Sequence, residues 1–233
     1  DNALYRVGDD LVLRIPRRRS AVELVTKELD WLPHLAPLPL TIPRLRTRGH
    51  AGPGMGCEFG IFDWMEGEVA TPQNIASVTD AAVALAGFLK ALHRKPVEGA
   101  PLAGPVNKLR GIPLADMSAQ TFPAIEMVRD EVDVTAAVAL WDSALAVPFE
   151  GPGVWLHGDL RADNLLTLNG QLSGVIDWGL SAVGDHRLVL GGSCRARRLP
   201  PDAGAGRGRR AARQGLGALW CRHCPQLLPG RPE

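Results

Sequence analysis

The stretch "HGDLRADN", residues 157–164, places charged and amide side chains between two apolar segments. It follows "VWL" (154–156) and precedes "LLTLNGQLSGVIDWG" (165–179). Short apolar runs bounded by turn residues are typical of buried strands. The polar stretch is therefore expected where strands end, and the apolar segments are expected to hold it in place.

The dipeptide Asn169-Gly170 is the strongest hairpin signal in the chain, because a two-residue type I′ turn needs positive φ at both positions. Such a turn pairs Leu168 with Gln171 and, by strict counting outward, Asn164 with Val175. Asp177 then lies two residues beyond the partner of Asn164, about 7 Å away across the diagonal.

Asn164 and Asp177 are thus expected close enough for their oxygens to share one cation. Two oxygen ligands without sulfur or imidazole suit Mg²⁺, which completes its octahedron with water and phosphate oxygens. Asp159, five residues before Asn164, is then a carboxylate beside that ion, free to accept a proton or to orient a hydroxyl group.

The N-terminal region predicts a hairpin followed by a helix. "ALYRV" (3–7) and "LVLRI" (11–15) read as strands joined by a tight turn at "GDD". "SAVELVTKELDWLPHL" (20–35) predicts a helix that begins with a capping box, in which Ser20 and Glu23 satisfy two backbone amides.

Along that helix, Val25, Leu29 and Leu32 form an apolar stripe at helical spacing, and Glu28 lies on the same face. A carboxylate that faces the core needs a partner, and the nearest candidate is Arg14 on the preceding strand. The alternative is that Glu28 lies at the edge of the stripe and points to solvent.

Farther along the chain, helical segments dominate. "CEFGIFDWMEGE" (57–68) predicts a strand that runs into a turn. "DAAVALAGFLKALH" (80–93) predicts a helix with Val83, Ala86, Leu89 and Leu92 on one face, and "VTAAVALWDSALAV" (134–147) predicts another. We therefore expect a β-rich first lobe and a larger helical second lobe.

The composition is that of a globular protein, with 45% hydrophobic residues, 22% charged residues and a net charge of +1. This balance favours neither nucleic acid nor an acidic partner. No apolar run approaches the roughly 20 residues of a membrane span, and the first residues do not resemble a signal peptide. We expect a cytoplasmic protein without a membrane partner; no feature indicates a particular oligomeric state.

The order His-x-Asp, four residues, Asn, a hairpin and Ile-Asp-x-Gly resembles the protein-kinase catalytic loop and metal-binding motif. Its His-Gly-Asp version resembles the aminoglycoside phosphotransferase family. The likeness covers most of the chain, through "DNALYRVGDDLVLRIPR" (1–17), "FDWMEGE" (62–68) and "LAGFLKALH" (85–93), and is expected to end at Asp185.

The resemblance implies an α+β, bilobal, protein-kinase-like fold. Residues 1–68 would form the N-lobe and inter-lobe linker, and residues 69–187 would form the C-lobe. It also implies an ATP- and Mg²⁺-dependent phosphotransferase acting on a hydroxyl of a small molecule. An aminoglycoside-like antibiotic is the expected acceptor, which would make the protein a resistance enzyme.

The resemblance further implies a role for each residue of the site. Asp159 would be the catalytic base, and His157 would brace the loop. Arg14 would replace the lysine that binds phosphate, with Glu28 as its helix partner. The metal ligands would be Asn164 and Asp177, and the adenine ring would bind the linker backbone at Asp63, Trp64 and Met65.

Two features depart from the family pattern. The family has a strand and a phosphate-covering loop before the "DNALYR" segment, so we expect an incomplete N-lobe. Residues 188–233 are rich in Arg, Gly and Pro, which favours a frameshift-like, disordered tail. Two alternatives follow: an inactive kinase-like remnant that at most binds nucleotide, and a nucleic-acid binder that uses the seven arginines between Arg195 and Arg213.

Overall fold

The N-terminal part of the fold is a four-stranded antiparallel sheet. The computed structural model describes residues 2–52, 56–147 and 149–188. The sheet has the order β1-β2-β4-β3. The strands are β1 (Asn2–Val7), β2 (Leu11–Pro16), β3 (Leu45–His50) and β4 (Glu58–Asp63). The predicted first hairpin is present, with Val7 opposite Leu11.

Helix α1 (Arg19–Leu35) packs against this sheet. The predicted stripe is confirmed, because Val25, Leu29 and Leu32 are all buried. The predicted capping box is wrong. The helix begins at Arg19 with Arg18 as its N-cap, so Ser20 lies inside the first turn, where its hydroxyl cannot serve as the cap.

The second part of the fold combines helices with short strands. Its helices are α2 (Val78–Leu92), α3 (Ser118–Met127) and α4 (Val134–Leu145). Strands β5 (Glu68–Val69), β7 (Leu165–Leu168) and β8 (Gln171–Val175) form one sheet, and β6 (Val154–Leu156) pairs with β9 (Ala182–Gly184). Helix α3 was not among the elements predicted from the sequence.

The buried face of α2 agrees with the predicted one in part. Leu89 and Leu92 are buried as predicted. Val83 is 68% exposed, and Phe88, which lies off the predicted stripe, is fully buried. The ring of Phe88 meets the edge of Trp178 at a centroid distance of 6.1 Å. A large aromatic contact with the second part of the fold therefore sets the helix rotation, rather than the stripe that includes Val83.

One continuous core joins the two parts, with Phe62 and Leu32 from the first and Phe88 and Trp178 from the second. The loop after α1 also crosses between them. Thr41 N donates to Ser173 O at 2.9 Å, and Val175 N donates to Thr41 O at 2.8 Å. Helix α1 is thereby held close to the segment that follows β8.

Within the described ranges, none of the helices has the length and apolar character needed to traverse a bilayer. The predicted tail, residues 188–233, lies outside the described residues except for Leu188.

Candidate active site

The β7–β8 hairpin has the predicted turn but a shifted register. Asn169 has φ 53° and Gly170 has φ 81°, and Leu168 pairs with Gln171. A β-bulge then places Val175 opposite Leu165 rather than Asn164. The predicted Asn164–Val175 pairing is therefore wrong by one residue, and Ile176 N donates to Asn164 O at 2.9 Å.

The bulged segment has a second backbone partner. The segment from Ser173 to Val175 also exchanges two hydrogen bonds with Thr41 on its other side. Because of the bulge, Asp177 lies one residue beyond the partner of Asn164, instead of two. The bulge therefore places Asp177 one residue nearer to Asn164 along the strand than the predicted register did.

Asn164 holds the carboxylate of Asp159. Asn164 Nδ2 donates to the backbone oxygen of Asp159 at 2.8 Å and to its Oδ2 at 3.3 Å. Because the amide nitrogen is used in this way, the amide oxygen of Asn164 is left as an acceptor for a cation. The structure thus brings the predicted base and one predicted metal ligand into direct contact.

Gly158 makes the sharp turn that precedes Asp159. Its φ is +81°, a conformation that residues with a Cβ rarely adopt. A Cβ at this position would also lie 2.1 Å from the backbone oxygen of Leu180. The middle residue of "HGD" therefore has a steric reason to be glycine.

His157 braces the loop from within the core. It is fully buried, and its ring meets Trp178 edge-on at 4.8 Å. Asp159 N donates to Nδ1 at 3.3 Å, and Nε2 lies 3.0 Å from the carbonyl oxygen of Ile176. Nδ1 is therefore the acceptor and Nε2 carries the proton, so the neutral ring links the loop of residues 157–164 to the segment before Asp177.

Burial lowers the pKa of His157 from its ordinary 6.5 to about 4, although the carbonyl of Ile176 opposes this shift. Between these values the unfolded chain binds a proton that the folded chain excludes, so stability falls as the pH falls from 6.5 toward 4. We expect this group to contribute a loss of about 3 kcal/mol over that range. Between pH 7 and pH 4, the free energy of unfolding in urea should decrease less for His157→Gln than for the wild type. Equal decreases in the two proteins would contradict a buried, neutral His157.

Arg14 lies between two carboxylates. Its Nη2 is 3.1 Å from Glu28 Oε2 and 2.6 Å from Asp177 Oδ1. The structure therefore confirms the predicted contact between Arg14 and Glu28, and the interpretation that Glu28 points to solvent is wrong, because its side chain is 1% exposed. The other carboxylate oxygen of Glu28 accepts from Trp178 N at 3.3 Å.

Burial and the charge of Arg14 have opposite effects on the pKa values of Glu28 and Asp177. Burial raises the pKa of Glu28, and the charge of Arg14 reverses only part of that shift. Burial alone would also raise the pKa of Asp177, but the charge and hydrogen bond of Arg14 outweigh it and lower the pKa. Asp177 also has an uncommon, left-handed backbone conformation, with φ 63° and ψ 68°. This conformation determines the direction in which its side chain leaves the backbone.

Lys27 is a buried residue of this region that the sequence analysis missed. Its Nζ donates to the carbonyl oxygen of Ser181 at 2.7 Å and so ties α1 to the segment after Asp177. Burial lowers its pKa to about 8, against the charge of Glu28. The sequence carried little signal for this contact, because lysines on amphipathic helices usually reach solvent.

The side chains of the predicted linker are held by the first sheet. Asp63 pairs with Arg46, and Arg6 lies over the ring of Trp64 at 4.3 Å. Trp64 N donates to Asp10 O at 2.7 Å, whereas Met65 N donates to no acceptor within the described part of the chain. The amide of Met65 thus remains a candidate donor to a base.

The linker also borders a groove of about 720 Å³, together with the end of α1 and the loop that follows it. The groove is not lined by Arg14, Asn164 or Asp177, the three charged and amide residues of the candidate site.

Two other charged residues of "HGDLRADN", Arg161 and Asp163, pair with each other on the surface. Arg161 Nε donates to Asp163 Oδ1 at 3.1 Å, and both side chains are about half exposed. This pair lies on the exposed side of the loop, whereas the carboxylate of Asp159 contacts Asn164.

The sequence profile of the phosphotransferase enzyme family APH matches residues 1–222. The chain belongs to this family. The matched range extends beyond Asp185, where the sequence motifs led us to expect the APH resemblance to end. No curated protein matches the chain significantly.

Solved APH-type structures share the fold. A mutant of aminoglycoside 2′-phosphotransferase-IIIa in complex with GDP is 26% identical, with a TM-score of 0.59, and the match covers 82% of this chain and 68% of that one. ADP-bound aminoglycoside phosphotransferase APH(2″)-Ib is 21% identical, with a TM-score of 0.54 and coverage of 82% and 69%. Macrolide 2′-phosphotransferase MphH from Brachybacterium faecium, as apoenzyme, is 21% identical, with a TM-score of 0.52 and coverage of 100% and 90%.

These matches confirm the predicted APH family and the α+β kinase-like fold. The chain is therefore a member of a family of phosphotransferase enzymes.

Proposed function

We propose that this chain transfers the γ-phosphate of ATP to a hydroxyl group of a small molecule, with an aminoglycoside as the best candidate acceptor. The observation that carries the proposal is the contact network in which Asn164 holds Asp159 while Arg14 spans Glu28 and Asp177. Such a network contains a base, a cation for phosphate and two oxygen ligands for a metal, which are the parts that phosphoryl transfer needs.

Asp159 acts as the base. Its carboxylate accepts the proton of the acceptor hydroxyl as the hydroxyl oxygen bonds to the γ-phosphorus and the bond to the β-phosphate oxygen breaks. Asn164 fixes the rotamer of Asp159 through its amide, and His157 fixes the backbone through the amide of Asp159. These contacts position the base before the acceptor binds.

Arg14 binds the phosphates, with Glu28 as its support. A guanidinium presents several N–H donors in a fork, so it can contact phosphate while it keeps a carboxylate partner. The side chain of Glu28 is sealed from solvent, which favours pairing with Arg14 over exchange with ions. Phosphate oxygens then meet the outer edge of the guanidinium.

The donor set suits Mg²⁺. The amide oxygen of Asn164 and the carboxylate of Asp177 would be its protein ligands. Such a two-ligand site fits an ion that takes its remaining ligands from water and phosphate. The bound ion would neutralise phosphate charge that develops during transfer.

The acceptor class rests on family likeness. The similar structures are named as aminoglycoside and macrolide phosphotransferases, and both classes of antibiotic carry free hydroxyl groups. Aminoglycoside 2′-phosphotransferase-IIIa is 26% identical to this chain, whereas the macrolide enzyme MphH is 21% identical. This difference favours an aminoglycoside as the acceptor. Phosphorylation of such an antibiotic would make this chain a resistance enzyme, and its use of ATP favours a cytoplasmic location.

We expect Asp177→Ala to lose more affinity for ATP with Mg²⁺ than Asp159→Ala. A metal ligand stabilises the ground-state complex, whereas a base acts mainly in the transition state. Isothermal titration of both variants should give at least a roughly tenfold weaker Kd for Asp177→Ala and a change within about twofold for Asp159→Ala. Equal losses would contradict these roles.

A further inference from the structure

Arg14 faces three polar side chains in the candidate site. Besides the two carboxylates, the amide of Asn2 faces it: with its oxygen toward the guanidinium, Asn2 accepts from Nη2 at 2.9 Å and from Nε at 3.2 Å. The side chain of Arg14 is 13% exposed, and that of Asp177 is 50% exposed. Ions in solution can therefore reach the carboxylate of Asp177 more easily than the guanidinium of Arg14.

The hydrogen bonds of Arg14 are distributed unevenly between its two carboxylates. Nη2 donates to Asp177 Oδ1 at 2.6 Å. Glu28 Oε2 lies only 3.1 Å from the same nitrogen, yet it is buried and accepts no hydrogen bond within the described part of the chain. A buried acceptor without a donor is unfavourable, so Glu28 Oε2 stands as a second acceptor for the same guanidinium nitrogen, Nη2.

We propose that Arg14 competes with the divalent metal for Asp177, and that metal binding transfers the N–H of Arg14 from Asp177 Oδ1 to Glu28 Oε2. This inference rests on the proposed role of Asp177 as a metal ligand. It assigns to Arg14 a second role besides phosphate binding: Arg14 sets the affinity of the site for metal in the absence of nucleotide.

The geometry explains why an arginine serves this purpose. The guanidinium has donors on three nitrogens, so it can turn from one carboxylate to the other while it keeps Asn2. A lysine ends at the position of the guanidinium carbon, about 1.3 Å short of Nη2. Arg14→Lys should therefore keep the positive charge but loosen the contact with Asp177.

The test measures binding of Mn²⁺ alone, without nucleotide, by titration calorimetry on the full chain. We expect Arg14→Met to bind Mn²⁺ about tenfold more tightly than the wild type, a change that corresponds to about 1.4 kcal/mol. Arg14→Lys should bind about threefold more tightly, which separates the contact from the charge. Glu28→Gln should bind more weakly, because it removes the negative charge that draws the guanidinium away from Asp177.

Arg48→Met is the matched control. Arg48 also spans two carboxylates, Asp30 and Glu58, but it lies on β3, an edge strand of the first sheet. Its substitution should leave the affinity for Mn²⁺ unchanged. Mn²⁺ affinities of Arg14→Lys and Arg14→Met that are no higher than that of the wild type would overturn the proposal.

A double variant separates this inference from the proposed function. Adding Asp177→Asn to Arg14→Lys should abolish the gain in Mn²⁺ affinity. Tight binding that persists in the double variant would show that Asp177 is not the ligand, and it would overturn both the metal assignment and the competition. Loss of binding in the double variant without a gain in Arg14→Lys would overturn the competition alone.

Discussion

Asp159→Asn is expected to lower kcat by about a thousandfold while it leaves the KM for ATP within about twofold of the wild-type value. General-base catalysis contributes roughly 10²- to 10⁴-fold, and asparagine cannot accept the proton of the acceptor hydroxyl. The substitution preserves the shape of the side chain and an oxygen that accepts from Asn164 Nδ2, so the loop should keep its geometry. Steady-state kinetics with an aminoglycoside that the wild type phosphorylates would measure both parameters.

Asp163→Asn is the matched control in the same loop. Asp163 pairs with Arg161 on the exposed side, and exposed pairs contribute little. Its kcat should stay within about twofold of the wild type. Similar losses of kcat in the two variants, or a loss in Asp159→Asn that appears in KM instead of kcat, would contradict the role of Asp159 as the base.

Gly158→Ala is expected to destabilise the fold by about 3 kcal/mol. The left-handed backbone at φ +81° disfavours any Cβ, and this Cβ would lie 2.1 Å from the oxygen and 2.7 Å from the carbon of the Leu180 carbonyl. A backbone group cannot rotate away as a side chain does, so the loop or the segment near Leu180 must move. Urea unfolding at neutral pH measures the loss.

Gly87→Ala provides the opposite expectation for the same chemical change. Gly87 lies in α2, and a Cβ there would meet nothing within 4 Å. Alanine in a helix is more favourable than glycine by roughly 0.5–1 kcal/mol, so this variant should be slightly more stable than the wild type. A loss of stability in Gly158→Ala no larger than about 0.5 kcal/mol would contradict the steric account.

The hairpin shows what local sequence can and cannot specify. Asn169-Gly170 predicted the turn correctly, because its positive φ values depend on those two residues alone. The register beyond Leu166 could not be derived in the same way. The bulge lies in a segment that also bonds to Thr41, which is more than 120 residues away in the sequence and cannot be paired with it by local spacing.

Glu28 and α2 show the same limit in different ways. Helical spacing placed Glu28 on the buried face, but only the fold decides whether Arg14 can reach it. Spacing also selected Val83 for the buried face of α2, whereas contact between Phe88 and Trp178 determines the actual rotation. Periodicity indicates that a helix has an apolar side, and long-range packing chooses among overlapping stripes.

The most direct test of the proposed function is phosphoryl transfer by the full chain. Purified protein would be incubated with ATP, Mg²⁺ and a panel of aminoglycosides and macrolides, and each product would be analysed by mass spectrometry. We predict that at least one aminoglycoside gains one phosphoryl group with the wild type and none does with Asp159→Asn. Tight binding of ATP with no phosphorylated product from any of these acceptors would contradict the proposed transfer to an aminoglycoside and would favour the nucleotide-binding remnant.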